Sequence, residues 1–211
     1  MKHSSDSRER LIEAGRQLFA QQGYDGASVR EITRRARANL GAITYHFGSK
    51  EALYHAVIER FALPLADRLA EIASEARSPM ERLADVLRAF FDHIARHPEM
   101  PPMILRELAS GRPLPAPVAQ VIARNVQSVG RIIAEGQADG SIRRGEPALI
   151  ATTIAAHPMF FAVASQPLRL ALGADPRDPA IRSRIVEHVI ATLEGGLANP
   201  LRTATAQDGT Q

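Results

Sequence analysis

The chain has 211 residues, 45% hydrophobic and 23% charged, an ordinary balance for a globular protein with one large domain or a small domain on a larger one. It has no cysteine, which excludes disulfide frameworks, thiolate metal sites and cysteine nucleophiles together. The net charge of +3 is uneven: nine basic and five acidic residues fall within 1–50, so the remainder sums to −1 and only the first part calls for a polyanionic partner.

Residues 2–10 are polar with no apolar run behind them, so no secretory signal is expected. Leu11, Ile12, Ala14, Leu18 and Phe19 repeat at helical spacing, and Gly23 is expected to close this first helix. Ser28-Val29-Arg30-Glu31 reads as a capping box opening a second helix to about Ala36, with Val29, Ile32 and Ala36 inward. A short third helix is expected over 39–47. Ser49 then caps a fourth carrying Leu53, Val57, Ile58 and Phe61, which Pro64 should kink or end.

Beyond this point proline announces the boundaries. Ser78-Pro79 opens a helix to His97, and Pro98, Pro101 and Pro102 precede a shorter one ending near Gly111. Pro113, Pro115 and Pro117 precede a long helix to about Gly140. Glu146-Pro147 opens a helix over 147–166, and Asp178-Pro179 opens the last, over 178–197. Residues 147–168 contain no Asp, Glu, Lys or Arg, but alanines and interrupting polar residues argue for a core or subunit-interface helix rather than a membrane span. The reading is all-α with about nine helices, no strands, no repeat and no glycine-rich phosphate loop. A disordered tail is expected over 200–211.

Residues 28–47 have the pattern of a helix-turn-helix. A helix that reads the major groove must bring its N-terminal end close to base edges, and Gly41 and Ala42 keep that end thin. Thr44, Tyr45 and His46 supply donors for phosphate or base, and Lys50 stands in the first turn of the next helix. After Lys2, Lys50 is the chain's one lysine; every other basic side chain is arginine. Ser28 offers a hydroxyl and a helix N-terminus to phosphate, and Arg30 can reach a base edge or phosphate. Arg34, Arg35 and Arg37 serve either as a solvated basic face or as direct DNA contacts.

Leu18-Phe19-Ala20, Gly23-Tyr24, Ser28-Val29-Arg30-Glu31-Ile32, Gly41-Ala42-Ile43, Tyr45-His46-Phe47 and Ser49-Lys50-Glu51-Ala52-Leu53 together resemble the DNA-binding domain of TetR/AcrR-type transcriptional regulators. The resemblance covers about residues 5–65. It implies an all-helical homodimer whose three N-terminal helices bind operator DNA, with an effector-binding and dimerisation domain over 66–199. On this pattern Ser28, Tyr45, His46 and Lys50 match phosphate-contacting positions, and Arg30, Asn39, Leu40 and Thr44 match positions that approach bases. The chain departs from the family at Ala36-Arg37-Ala38, where Ala-Gly-Val is usual, and at Thr44, where tyrosine is frequent. Either the turn is adjusted, or Arg37 offsets a left-handed conformation through a DNA contact.

The resemblance pairs the helices over 147–166 and 178–197 at the homodimer interface. It places a pocket for a small-molecule effector among the central helices. Phe90, Phe91, Ile94, Met100, Met103, Ile122, Val126, Val129, Phe160 and Phe161 are candidate lining residues, with His93, His97, Asn125 and His157 as polar contacts. His93 and His97 share a helix face, but with no cysteine and no acid after the first histidine they do not form a hydrolytic zinc motif, and no metal or cofactor is expected. There is no nucleophile elbow or acid pair, so an enzyme is not expected. The function implied is a cytoplasmic repressor released from DNA by its effector. The alternative is a DNA-binding regulator or architectural protein that senses nothing.

Overall fold

Helix signals in the sequence become ten helices in the computed structural model, which describes residues 2–111 and 113–199. They are α1 (Lys2–Gly26), α2 (Val29–Arg35), α3 (Ala42–Phe47), α4 (Lys50–Ile72), α5 (Pro79–Arg96), α6 (Met100–Ala109), α7 (Ala116–Ala138), α8 (Pro147–Val163), α9 (Ser165–Leu172) and α10 (Pro179–Leu197). Among the described residues extended pairing is limited to one isolated bridge, between Ile142 and Ala198. The tail expected over 200–211 lies outside the described residues. The chain divides into two compact units, one of Met1–Pro64 with Glu99–Val121 and the other of Leu65–Pro98 with Ile122–Gln211. The segment 99–121, which the sequence groups with the C-terminal domain, therefore clusters with the first unit.

In the first unit, Leu11, Leu18, Phe19, Ile32, Ile43, Leu53, Val57 and Ile58 are all fully buried. Each large apolar side chain removed from water in this way contributes about 1.5–3 kcal/mol. α1 packs against α2 and α6. Phe19 and Tyr54 meet edge to face at 5.0 Å, and the Tyr54 hydroxyl donates to Glu107 Oε1 at 2.8 Å, fastening α6 to α4. Arg16 forms ion pairs with Glu13 and Glu99, and the hydrogen bonds it donates to Glu13 foremost hold its guanidinium well above the usual arginine range. Gly23 leaves the helical region at φ 76°, but the chain resumes a helical turn to Gly26 instead of ending there. α4 runs on through Pro64 to Ile72.

The core of the second unit joins Leu69, Val86, Leu87, Phe90, Phe91, Ile132, Ile133, Ile154 and Val189. α5 opens with a complete capping box: the Ser78 side chain accepts from the Glu81 N–H, and the Glu81 carboxylate accepts from the Ser78 N–H at 3.1 Å. The Ser78 hydroxyl also donates to the Glu81 carboxylate, and this bond first, with that from the Ser78 N–H, holds the Glu81 carboxyl below the usual range. Arg82 is only 5% exposed, yet it donates to the Ala73 carbonyl at 3.0 Å and pairs with Glu135, tying the end of α4 to α5 and α7. A buried guanidinium without such partners would be costly.

The single uncharged helix expected over 147–166 is two helices, α8 and α9, bent by 82°. Pro167 explains the break, because it has no N–H for the Val163 carbonyl and its ring would collide with that group in a continuous helix. No single described helix is long and apolar enough to cross a membrane; α8 and α9 reach that length only as a bent pair. The polar groups of α8 turn inward on their own backbone. The hydroxyls of Thr152 and Thr153 donate to the carbonyls of Ala148 and Leu149 at 2.8 and 3.0 Å, and His157 Nδ1 lies 2.8 Å from the Thr153 carbonyl.

At Gly136 a Cβ would come within 2.5 Å of Ile142 Cδ1 and 3.0 Å of Pro79 Cβ, both parts of buried residues. Gly136→Ala should therefore destabilise the protein by about 1–3 kcal/mol in urea titration, the usual cost of overpacking a filled core.

Candidate nucleic-acid interface

The candidate interface is built by one turn. α2 is nucleated by Ser28, in an extended conformation, whose Oγ accepts the Glu31 N–H at 3.1 Å. Only this half of the expected capping box forms, because the Glu31 carboxylate is drawn to Gln22 at 3.2 Å and Arg34 at 4.0 Å. α2 ends on Ala36, after which Arg37 takes φ 51°, the one positive φ outside glycine among the described residues. The Arg37 N–H donates to the Arg34 carbonyl at 3.1 Å and the Ala38 N–H to the Thr33 carbonyl at 2.9 Å. This is the paired hydrogen-bond pattern that usually has glycine at its left-handed position. Arg37 thus adopts the geometry the usual glycine would, with no adjustment of the turn. Arg10 secures it from α1 by donating from Nε to the Ala36 carbonyl at 3.1 Å.

The turn delivers α3, which starts at Ala42 rather than at Asn39; Asn39, Leu40 and Gly41 stay in the turn before it. Ile43 is buried and anchors the helix, while Leu40 is 57% and Tyr45 80% exposed, unusual values for large apolar side chains. A Cβ at Gly41, where φ is −76°, would meet nothing within 4 Å. Neither strain nor internal packing requires that glycine, so any requirement comes from something approaching from outside. Thr44 is exposed and Ala42 and His46 are partly so. A shallow groove beside α3 is lined by Ser7, Arg10, Arg37, Asn39, Gly41, Ala42, Tyr45 and His46. Ser7 and Arg10 were not singled out in the sequence, where nothing distinguishes them from the polar start of a helix.

Positive charge frames this surface. Among the described residues Arg30, Arg35 and Arg37 have no carboxylate partner, and all three are exposed. Lys50 heads α4 with Nζ 4.4 Å from the centre of the Tyr24 ring. Burial above all raises the Tyr24 phenol above its usual range, so the ring stays neutral beneath the ammonium. Arg8 lies over the Phe47 ring, 5.2 Å from its centre.

The expected effector residues scatter. Phe91, Ile94 and Phe161 line a cavity of about 200 Å³ in the second unit with Ala95, Pro98, Pro158, Ala162, Ser165, Pro176, Arg177, Arg182 and Ile185. Phe90 and Val129 are buried in the core, and Met103 is buried in the first unit. His93 is buried with its ring centre 4.9 Å from that of His97; Asn125 and His157 are partly buried. Phe160 is 59% exposed and faces away from the core, with Leu149 and Val163 also exposed on α8. The contributions of Arg177 and Arg182 were missed because their segment reads as an ordinary polar helix start.

The ten-helix architecture with a helix-turn-helix at its N-terminal end defines a class of bacterial regulators. A model of bacterial regulatory proteins of the tetR family matches residues 11–57, and one of the tetracyclin repressor-like C-terminal domain matches residues 79–193. The chain belongs to the TetR family. It is 30% identical over 101 residues to the HTH-type transcriptional repressor NicS of Pseudomonas putida, covering 48% of each protein. It is 30% identical over 141 residues to the repressor KstR2 of Mycolicibacterium smegmatis, covering 64% of this chain and 67% of that one. The chain spans about half or less of the length of several of these curated relatives. Its fold matches that of HlyIIR, a hemolysin II transcriptional regulator, with a TM-score of 0.68, 21% identity and coverage of 90% and 97%. It also matches a TetR/AcrR regulator from Thermobifida fusca with a TM-score of 0.63, 23% identity and coverage of 90% and 98%.

Arg37→Gly should raise the stability of the protein by about 1 kcal/mol in urea titration, since glycine accepts a left-handed conformation without the Cβ penalty.

Proposed function

We propose that this protein is a homodimeric transcriptional repressor that binds a near-palindromic operator in the cytoplasm and is released by a small-molecule effector. The observation that carries the reading is the exposed N-terminal end of α3, with Leu40, Gly41, Thr44 and Tyr45 outward and unpaired arginines around it. Such an end fits the major groove, where Arg30, Asn39, Leu40 and Thr44 would approach bases and Ser28, Tyr45, His46 and Lys50 would hold phosphates. Arg37 joins the phosphate contacts, and its cost in the turn is repaid on DNA.

Dimerisation through α8 and α10 fits the apolar side chains that α8 leaves in water. Two copies so joined would set their α3 helices about 34–36 Å apart, one turn of DNA. The cavity of the second unit is the candidate effector site, acting by favouring one of two arrangements of the dimer.

Selection from random duplexes, followed by anisotropy titration at several salt concentrations, tests the DNA reading. Lys50→Ala should weaken binding to every duplex alike and lower the salt dependence by about one phosphate contact. Arg30→Ala and Thr44→Ala should also change the selected sequence; unchanged motifs for both would remove their base-reading roles. Phe160→Asp should convert dimer to monomer in sedimentation equilibrium while leaving the helical circular dichroism signal intact.

A further inference from the structure

We infer that the cavity in the second unit binds a small apolar carboxylate, clamped by Arg177 and Arg182. The inference rests on the effector reading above and assigns that site a ligand chemistry.

The walls are apolar: Phe91 and Ile94 from α5, Pro158 and Phe161 from α8 and Ile185 from α10. Arg177, before α10, and Arg182, in its second turn, are the charged lining groups, and no acidic side chain lines the space. Among the described residues neither guanidinium has a carboxylate partner. The neighbouring acids are already engaged. Asp175 pairs with Arg169 and accepts the Arg177 backbone N–H at 3.0 Å, while Asp178 Oδ1 accepts the Ala180 N–H at 2.8 Å. The apolar recess therefore has at its edge two guanidiniums without an ion-pair partner among the described residues, Arg177 exposed and Arg182 partly so.

That combination selects among ligands. A cation is repelled, and a neutral molecule leaves both guanidinium forks without a charged partner. A carboxylate gives each fork a charge-assisted bond in the planar geometry it favours. A free inorganic anion satisfies the arginines but leaves the phenylalanine-lined space unfilled. Size narrows the class further. The cavity, about 200 Å³, is smaller than the ~300–1,000 Å³ of pockets for drug-sized molecules. At the ~30 Å³ that one water occupies in the liquid, it holds a body of about seven water-sized groups. Benzoate and hexanoate are of that size; long acyl chains and fused ring systems are not.

Isothermal titration calorimetry of the full chain with benzoate, hexanoate, benzamide, benzylamine and inorganic phosphate tests this. At least one of the two acids is expected to bind once per chain, with benzamide at least tenfold weaker and no measurable heat from benzylamine or phosphate. The double variant Arg177→Leu with Arg182→Leu should weaken acid binding at least tenfold, and Ala162→Phe, which fills the space, should abolish it. Arg182→Lys keeps the charge and should lose only a few-fold, and thermal melts establish that each variant is folded. The proposal is overturned if neither acid binds folded wild-type protein, if benzamide binds as well as benzoate, or if either arginine-free or cavity-filled folded protein binds the acid unchanged. Acid binding that leaves the affinity for the selected duplex untouched supports the cavity assignment and removes the effector reading instead.

Discussion

The turn between α2 and α3 governs everything the first unit offers to a partner. Three hydrogen bonds close it: Arg37 to Arg34, Ala38 to Thr33 and Arg10 to Ala36. They fix the direction in which α3 leaves, and α3 has few other anchors, since Ile43 is its one buried side chain. A six-residue helix is too short to be stable alone, so its position is imposed by the turn before it and by α4 after it. The arginine at the left-handed position places a guanidinium at the corner of the groove that glycine would leave bare.

The second unit solves a different problem. Its core is almost wholly aliphatic and aromatic, and Arg82 is the charged exception, with partners on both sides. Charge is otherwise kept at the helix ends and on the outer faces. At the cavity the balance shifts, because local acids are spent on Arg169 and on capping α10. The resulting positive edge follows from arrangement and not from composition: this part of the chain is near neutral overall.

Legibility in the sequence followed how local each signal was. The Ser28, Ser78 and Asp178 caps and the proline after Glu146 marked the starts of α2, α5, α10 and α8 to within a residue, because capping is decided by neighbours in the chain. Pro101 and Pro102, read as preceding α6, lie instead in its first turn. The burial of Leu53, Val57, Ile58 and Ile32 was legible from helical spacing. Most of the candidate interface was legible for the same reason, since it lies in one continuous stretch, while Ser7 and Arg10, which line the groove from α1, were not. Long-range features were not. Glu31 was lost from its box to Gln22, nine residues away in the chain. Pro167 looked like part of a continuing apolar run, although it forbids that continuation. Phe160 and Phe161 are adjacent and equally apolar, and only the packing decides that one lines a cavity while the other faces out.

The inward-turned hydroxyls of α8 have a consequence for solvation. Thr152 and Thr153 bond to their own backbone, and so does the near ring nitrogen of His157. On the outer face of this helix, the threonines therefore present methyl groups beside Leu149, Phe160 and Val163. A surface covering it would strip away water without stranding either hydroxyl donor, so dehydration there carries little of the penalty that threonines on a helix normally bring. With its threonine hydroxyls already bonded, this face would meet a covering surface much as hydrocarbon does.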